Sequence, residues 1–185
     1  MRIVSAELSG IKIIEPQVFG DERGFFFESF RKNSYEELGI GPFVQDNISR
    51  SRYGVLRGLH YQLRYPQGKL VTVVRGEVFD VVVDIRIGSP TFGKWLSVVL
   101  NDENHKQIYI PPGFAHGFCV LSEFADFHYK CTNYYHPEDE QGVIWNDQGI
   151  SINWPNIKIE PILSSKDMLY KPLSEIVVEK LPSWL

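Results

Sequence analysis

At 185 residues the chain has room for one domain with a sizeable core, and its net charge of −4 argues against the basic face that nucleic-acid binding needs. Two cysteines, Cys119 and Cys131, are too few for a disulfide framework and read as buried free thiols of a reducing compartment. No apolar run approaches the ~20 residues of a membrane span, and the N-terminus, with Arg2 and Glu7, lacks the apolar stretch of a signal peptide, so the expectation is a soluble cytoplasmic domain.

Residues 11–15 read as a strand, 19–24 as turn-like, and 25–30 as an alternating stretch with Glu28 on the face of Phe26 and Phe30. One short helix is expected over 34–38, with Ser34 as N-cap, Glu36 and Glu37 in its first turn and Gly39 as terminator. From there the pattern is β: strands near 43–48, 56–63, 69–75, 77–87, 94–100, 106–110, 116–121 and 125–135, separated by Gly, Pro, Asn and Asp. Arg75-Gly76-Glu77 reads as a hairpin reversal and Gly88-Ser89-Pro90 as another turn. The tail from Trp154 carries Pro155, Pro161, Pro172 and Pro182 and should wrap around the domain rather than form one element. Within it, Ser164-Ser165-Lys166-Asp167 reads as a turn or the start of a short helix. The fold class is therefore all-β, a sandwich or barrel, in a single domain over 1–185.

One stretch puts unusual chemistry on a strand. Gly54 is followed by five residues and His60, and counting back six residues from Gly76 reaches Lys69. That spacing resembles the first motif of the cupin jelly rolls, and Pro111-Pro112-Gly113-Phe114-Ala115-His116 resembles the second. Gln62 stands where that motif has its second histidine, and Lys69 where it has a glutamate. An ammonium in the carboxylate's place repels a cation, so no metal is expected. His60 and Lys69 would suit a satisfied core histidine with a snorkelling lysine. They equally suit a base and a cation facing a cavity.

Two more features bear on that choice. Alternation along 124–135 puts Phe127, Tyr129, Cys131, Asn133 and Tyr135 on one face, as core or as cavity wall. Asp80 and Asp84 share a face with Val78 and Val82, so they need partners such as His116 or an arginine. Base, cation and phenol around one cavity would suit proton abstraction beside a carbonyl, with a proton returned on the opposite face.

Longer blocks narrow the reading. They are Phe19-Gly20-Asp21-Glu22-Arg23-Gly24-Phe25-Phe26, Val44-Gln45-Asp46-Asn47, Val55-Leu56-Arg57-Gly58-Leu59-His60, Gln67-Gly68-Lys69-Leu70, Glu77-Val78-Phe79-Asp80-Val81, Ser89-Pro90-Thr91-Phe92-Gly93 and Gly113-Phe114-Ala115-His116-Gly117-Phe118. Thr132-Asn133-Tyr134-Tyr135, Trp145-Asn146-Asp147 and Ser165-Lys166-Asp167 extend the series. Together, over about residues 11–173, they resemble the dTDP-4-dehydrorhamnose 3,5-epimerase family. The resemblance implies a metal-free, cofactor-free cupin jelly roll that acts on a dTDP-4-keto-6-deoxyhexose as a homodimer with exchanged N-terminal strands. It implies His60 as base, Asp167 as its partner, Lys69 as enolate stabiliser, Tyr129 as acid and Tyr135 as the residue stacking on thymine. It carries substrate contacts to Arg23, Glu28, Gln45, Asp46, Asn47, Arg57, His116, Glu140 and Lys166. Strict alternation puts Arg57 and His60 on opposite faces, so a bulge or bend near Gly58 is required if both serve one site. Three other activities use the same scaffold: a single-centre epimerase, a 3,4-ketoisomerase and a non-catalytic carbohydrate- or nucleotide-binding jelly roll.

Overall fold

The computed structural model describes every residue except Ala6 and Leu185. In chain order the elements are β1 (Arg2–Ser5), β2 (Lys12–Glu15), β3 (Phe19–Asp21), β4 (Gly24–Phe26), α1 (Lys32–Glu36), β5 (Gln45–Arg52), β6 (Leu56–Gln62) and β7 (Lys69–Arg75). They continue with β8 (Glu77–Asp84), β9 (Trp95–Asn101), β10 (Gln107–Ile110), β11 (Phe114–Val120), β12 (Phe124–Cys131) and β13 (Glu140–Gly142). Six strands form one sheet in the order β1-β2-β10-β7-β12-β5, five form a second in the order β13-β6-β11-β8-β9, and β3 and β4 make a separate hairpin. Two antiparallel sheets facing one another give the expected jelly roll of cupin type.

The core explains the strand patterns. Between the sheets, Val71 and Val73 of β7, Val78 and Val82 of β8, Phe118 of β11 and Phe127 of β12 close into one cluster. The other face of β8, Val81 and Val83, is also buried, because Ile150, Leu173 and Leu181 of the tail lie over it together with Trp154. A strand covered on both faces reads as a continuous apolar run, as 77–84 does. So the proline-rich tail does wrap the domain, and the face it covers is the outside of the five-stranded sheet.

Three local expectations give way to tertiary structure. Helix α1 starts at Lys32, with an extended Arg31 ahead of it and no side-chain cap, so Ser34 lies inside the helix rather than at its N-cap. Packing sets that frame: the Tyr35 ring is buried with Ile14, Ile40, Leu70 and Tyr109, and its hydroxyl donates to Gln107 Oε1 at 2.5 Å. Gly39, at φ +69°, ends the helix as expected. Residues 19–26 form a hairpin, β3 paired with β4, rather than a turn followed by an alternating stretch over 25–30. β1 and β13 had no strand signal of their own.

The third concerns Gly76. Arg75-Gly76-Glu77 is no hairpin, because β7 and β8 belong to different sheets. The chain turns a corner there at φ +79°, and a Cβ on Gly76 would sit 1.9 Å from the Phe124 carbonyl oxygen. Backbone cannot yield as a flexible side chain does, so Gly76→Ala is expected to cost about 1–3 kcal/mol. A thermal midpoint lowered by about 2–4 °C per kcal/mol checks this; an unchanged midpoint refutes it. Among the described residues no helix is long and apolar enough to cross a membrane.

Candidate active site

The site begins with an irregularity in β6. His60 stands opposite His116 of β11, and Arg57 stands opposite Phe118, so Gly58 and Leu59 together face only Gly117. That is the bulge the sequence requires. It depends on two glycines: a Cβ on Gly58, at φ +119°, would lie 2.6 Å from Gly117 Cα, and one on Gly117 would lie 2.5 Å from the Arg57 carbonyl oxygen. With the strand re-aimed, Arg57 and His60 line the same cavity, of about 260 Å³, together with Lys69, His116, Tyr129, Tyr135, Glu140 and Lys166. Ser51 holds Arg57 there, accepting from its Nε at 3.1 Å.

His60 is held from two sides. Its Nε2 is 2.5 Å from Asp167 Oδ1, and its Nδ1 is 3.5 Å from Glu140 Oε1. Burial alone would raise the Asp167 carboxyl, but the hydrogen bond and charge of His60, with Ser164, hold it below the usual range. An ionised Asp167 only accepts, so Nε2 donates to it, while Nδ1 faces Glu140 and the cavity.

Lys69 opens β7, opposite Cys131 on one side and Ile110 on the other. Burial pushes its ammonium down, opposed by the neighbouring Cys131, Glu140 and Asp80. Tyr129 comes from β12, and burial pushes its phenol up, so it stays protonated across the neutral range. Asp80 meets His116 Nε2 at 2.9 Å, as its burial required, and burial pushes its pKa up against the pull of His116 and Lys69. Asp84 has a different task. It accepts from Arg86, Ser89 and Thr91 and so ties down the turn after β8.

Glu140 is the hub of the rim. Its Oε2 accepts from the Tyr135 hydroxyl and from Lys166 Nζ, both at 2.5 Å. The carboxylate it offers pushes the Tyr135 phenol up to about 12. Gln45 accepts from the Tyr135 backbone N–H at 2.9 Å and donates to Asn47, and Asn47 lines a smaller adjoining cavity with Lys69 and Tyr129. At the metal-motif position, Gln62 is used structurally, donating to the carbonyls of Tyr65 and Tyr134.

Three expected substrate contacts lie elsewhere in the protomer. Asp46 alternates onto the outer face of β5, where it pairs with Lys130 at 2.7 Å. Arg23 sits in the exposed β3–β4 hairpin, bonded to Asp21, and Glu28 follows it, 3.9 Å from Arg31. Conversely, Ser49 lines the cavity without having been singled out, although it is one step along β5 from Asn47 at period two. Tyr170 packs against His60 from the tail, where no local pattern marks it.

The family model described as dTDP-4-dehydrorhamnose 3,5-epimerase matches residues 5–175. The chain belongs to that family. Among dTDP-4-dehydrorhamnose 3,5-epimerases it is 56% identical over 172 residues to the one from Shigella flexneri, covering 91% of this chain and 93% of that one. It is 55% identical over 172 residues to the one from Neisseria gonorrhoeae, covering 92% of this chain and about half (52%) of that longer protein. The crystal structure of a dTDP-6-deoxy-D-glucose-3,5-epimerase from Legionella pneumophila Philadelphia 1, in complex with dTDP-4-keto-L-rhamnose, superposes with a TM-score of 0.96. The identity there is 56%, and the match covers all of this chain and 98% of the other. For this 3,5-epimerase family member the cupin-like jelly roll expected from the sequence therefore holds.

Proposed function

We infer that the chain epimerises C3 and C5 of dTDP-4-dehydro-6-deoxy-D-glucose, yielding dTDP-4-dehydro-L-rhamnose. The observation that carries the reading is one cavity lined by His60, whose Nε2 is held by Asp167, by Lys69 and by Tyr129. The C4 ketone acidifies the C–H bonds on both sides of it. His60 Nδ1 takes the C3 or C5 proton, the C–H electron pair moves toward C4, and the carbonyl oxygen becomes an enolate facing the Lys69 ammonium. Tyr129 then returns a proton to the opposite face of the carbon and the ketone re-forms. His60 releases its proton and the Tyr129 phenolate regains one from solvent, which readies the site for the second carbon. Every step moves a proton and none an electron to an acceptor, so the reaction asks for no cofactor.

Arg57 and Lys166 on the cavity wall suit a diphosphate, and Tyr135 at the rim suits stacking on a base. Gln45, Asn47, His116 and Glu140 line or brace the same space and complete the substrate contacts. The exposed arm supports a homodimer: Phe19, Phe25 and Phe26 are 56%, 61% and 66% exposed on one short hairpin. If protomers exchange this N-terminal arm, Arg23 and Glu28 serve the partner's cavity rather than their own. Sedimentation should then give a dimer, and Arg23→Ala should raise KM with kcat little changed; a fully active monomer refutes the exchange. The cytoplasm suits the two buried free thiols.

Turnover in heavy water tests the reaction. Deuterium is expected at both C3 and C5 of the product, and Tyr129→Phe should bind substrate but lose one or both inversions. Label at C3 alone means a single-centre epimerase, a ketone at C3 means a ketoisomerase, and binding without turnover means a carbohydrate-binding module.

A further inference from the structure

The base is gripped by one short turn of the tail, and that turn delivers two residues. Asp167 opens the 3-10 turn Asp167–Leu169, and Tyr170 caps its end. Asp167 takes His60 Nε2, while the Tyr170 ring meets the imidazole edge to face, centroids 5.7 Å apart at 70°. The turn is pinned on both sides: the Asp167 N–H donates to Ser164 Oγ, the Ile144 N–H donates to the Lys171 carbonyl, and the Leu173 N–H donates to Asp147 Oδ2.

Behind Tyr170 stands Gly142, the residue of β13 that is the register partner of His60 itself. A Cβ on Gly142 would lie 2.4–2.6 Å from Cε2, Cζ and Cδ2 of the Tyr170 ring. Gly142 is not among the glycines with positive φ, so its backbone conformation would accept a side chain. What excludes one is the ring. The Tyr170 hydroxyl oxygen is buried and has no hydrogen-bond partner among the described residues, so the contact to His60 is made by the ring alone.

We propose that Tyr170 is a positioning residue for the base: packed over Gly142 and against His60, its ring stops the imidazole from turning away from Asp167. This rests on the reading of His60 as base. With one short hydrogen bond to Asp167 and only a 3.5 Å approach to Glu140, the imidazole retains freedom about its χ2, which is broad and roughly two-fold. Rotation would present the wrong nitrogen to the substrate. A ring packed edge to face with it removes that freedom without touching the substrate.

The test compares Tyr170→Leu, Tyr170→Phe and Gly142→Ala in the full-length protein. Tyr170→Leu is expected to lower kcat about 10- to 10²-fold, the scale of a small misplacement of a catalytic group, with KM within about twofold. Gly142→Ala, which displaces the ring from behind, should give the same split, and Tyr170→Phe should recover most of the kcat lost in Tyr170→Leu. Long-range ¹H–¹⁵N spectra of the imidazole should show one Nε2–H tautomer of His60 in the wild type and a mixture in Tyr170→Leu. A single tautomer with unchanged kcat in Tyr170→Leu overturns the proposal, as does a Tyr170→Phe variant as impaired as Tyr170→Leu. If His60→Ala retains turnover, it is the base assignment that fails, whereas the tautomer spectra judge Tyr170 independently of turnover.

Discussion

Replacing His60 by alanine will reduce turnover by about 10²–10⁴, the usual contribution of a positioned general base, and will abolish deuterium incorporation at both carbons. Binding should survive, because Arg57, Lys166 and Tyr135 stand apart from the imidazole contact to Asp167. The same change removes the partner of a buried carboxylate. Asp167 is held ionised chiefly by His60, against burial that favours the neutral acid. Sign matters here: a carboxyl held below its unfolded value contributes stability above that value and loses it as pH falls through the folded one. His60→Ala should therefore weaken the fold by about 1–3 kcal/mol at neutral pH, and its stability should depend less on acid than that of the wild type. His60→Gln separates the two effects, since an amide N–H can still donate to Asp167 but is no base. Denaturant titration together with kinetics checks both. A His60→Gln variant with near-native turnover would sink the assignment of the base.

The second large effect falls on Lys69. Lys69→Met should lower kcat by about 10²–10³, the loss typical of a single oxyanion-stabilising donor, with a much smaller change in KM. Burial lowers the pKa of this lysine, so its charge is lost at lower pH than the ordinary lysine value of about 10.4. Activity should fall on the basic side below that value. Tyr129 shifts upward and titrates later, so the earlier limb belongs to Lys69. In Lys69→Arg the guanidinium stays charged, and any residual activity should lack that limb. Stability runs the other way. The unfolded chain holds this proton more tightly than the folded one, so stability rises with pH between the two pKa values. Lys69→Met removes a partly buried cation and should raise the thermal midpoint at neutral pH while lowering activity. A less stable, inactive variant would instead point to a structural lysine.

How much of this was legible in the sequence depends on how far each interaction reaches along the chain. His60, Lys69 and His116 follow from spacing that resembles the two cupin motifs, and each sits on a strand. The bulge at Gly58 was legible as a conflict between strict alternation and a shared site. The pairing of Asp80 with His116 follows from the rule that a buried carboxylate needs a partner. All of these are answers to local backbone geometry.

What the strands face, and what reaches them from far away, is another matter. Nothing in 75–77 tells a hairpin from a corner between sheets; the Phe124 carbonyl packed against Gly76 decides it. Nothing around Ser34 announces that the burial of Tyr35 sets the helix frame. By itself the sequence determined the all-β class and marked His60 and Lys69 as candidates for base and enolate stabiliser. The family resemblance already pointed to Asp167 as the partner of His60, but only the tertiary structure decided that Tyr170, more than a hundred residues along the chain, closes on the same imidazole. The physical reason is that a tail with four prolines has no periodicity to read. Its position comes from the apolar face it covers and from the pins at Ser164, Asp147 and Lys171.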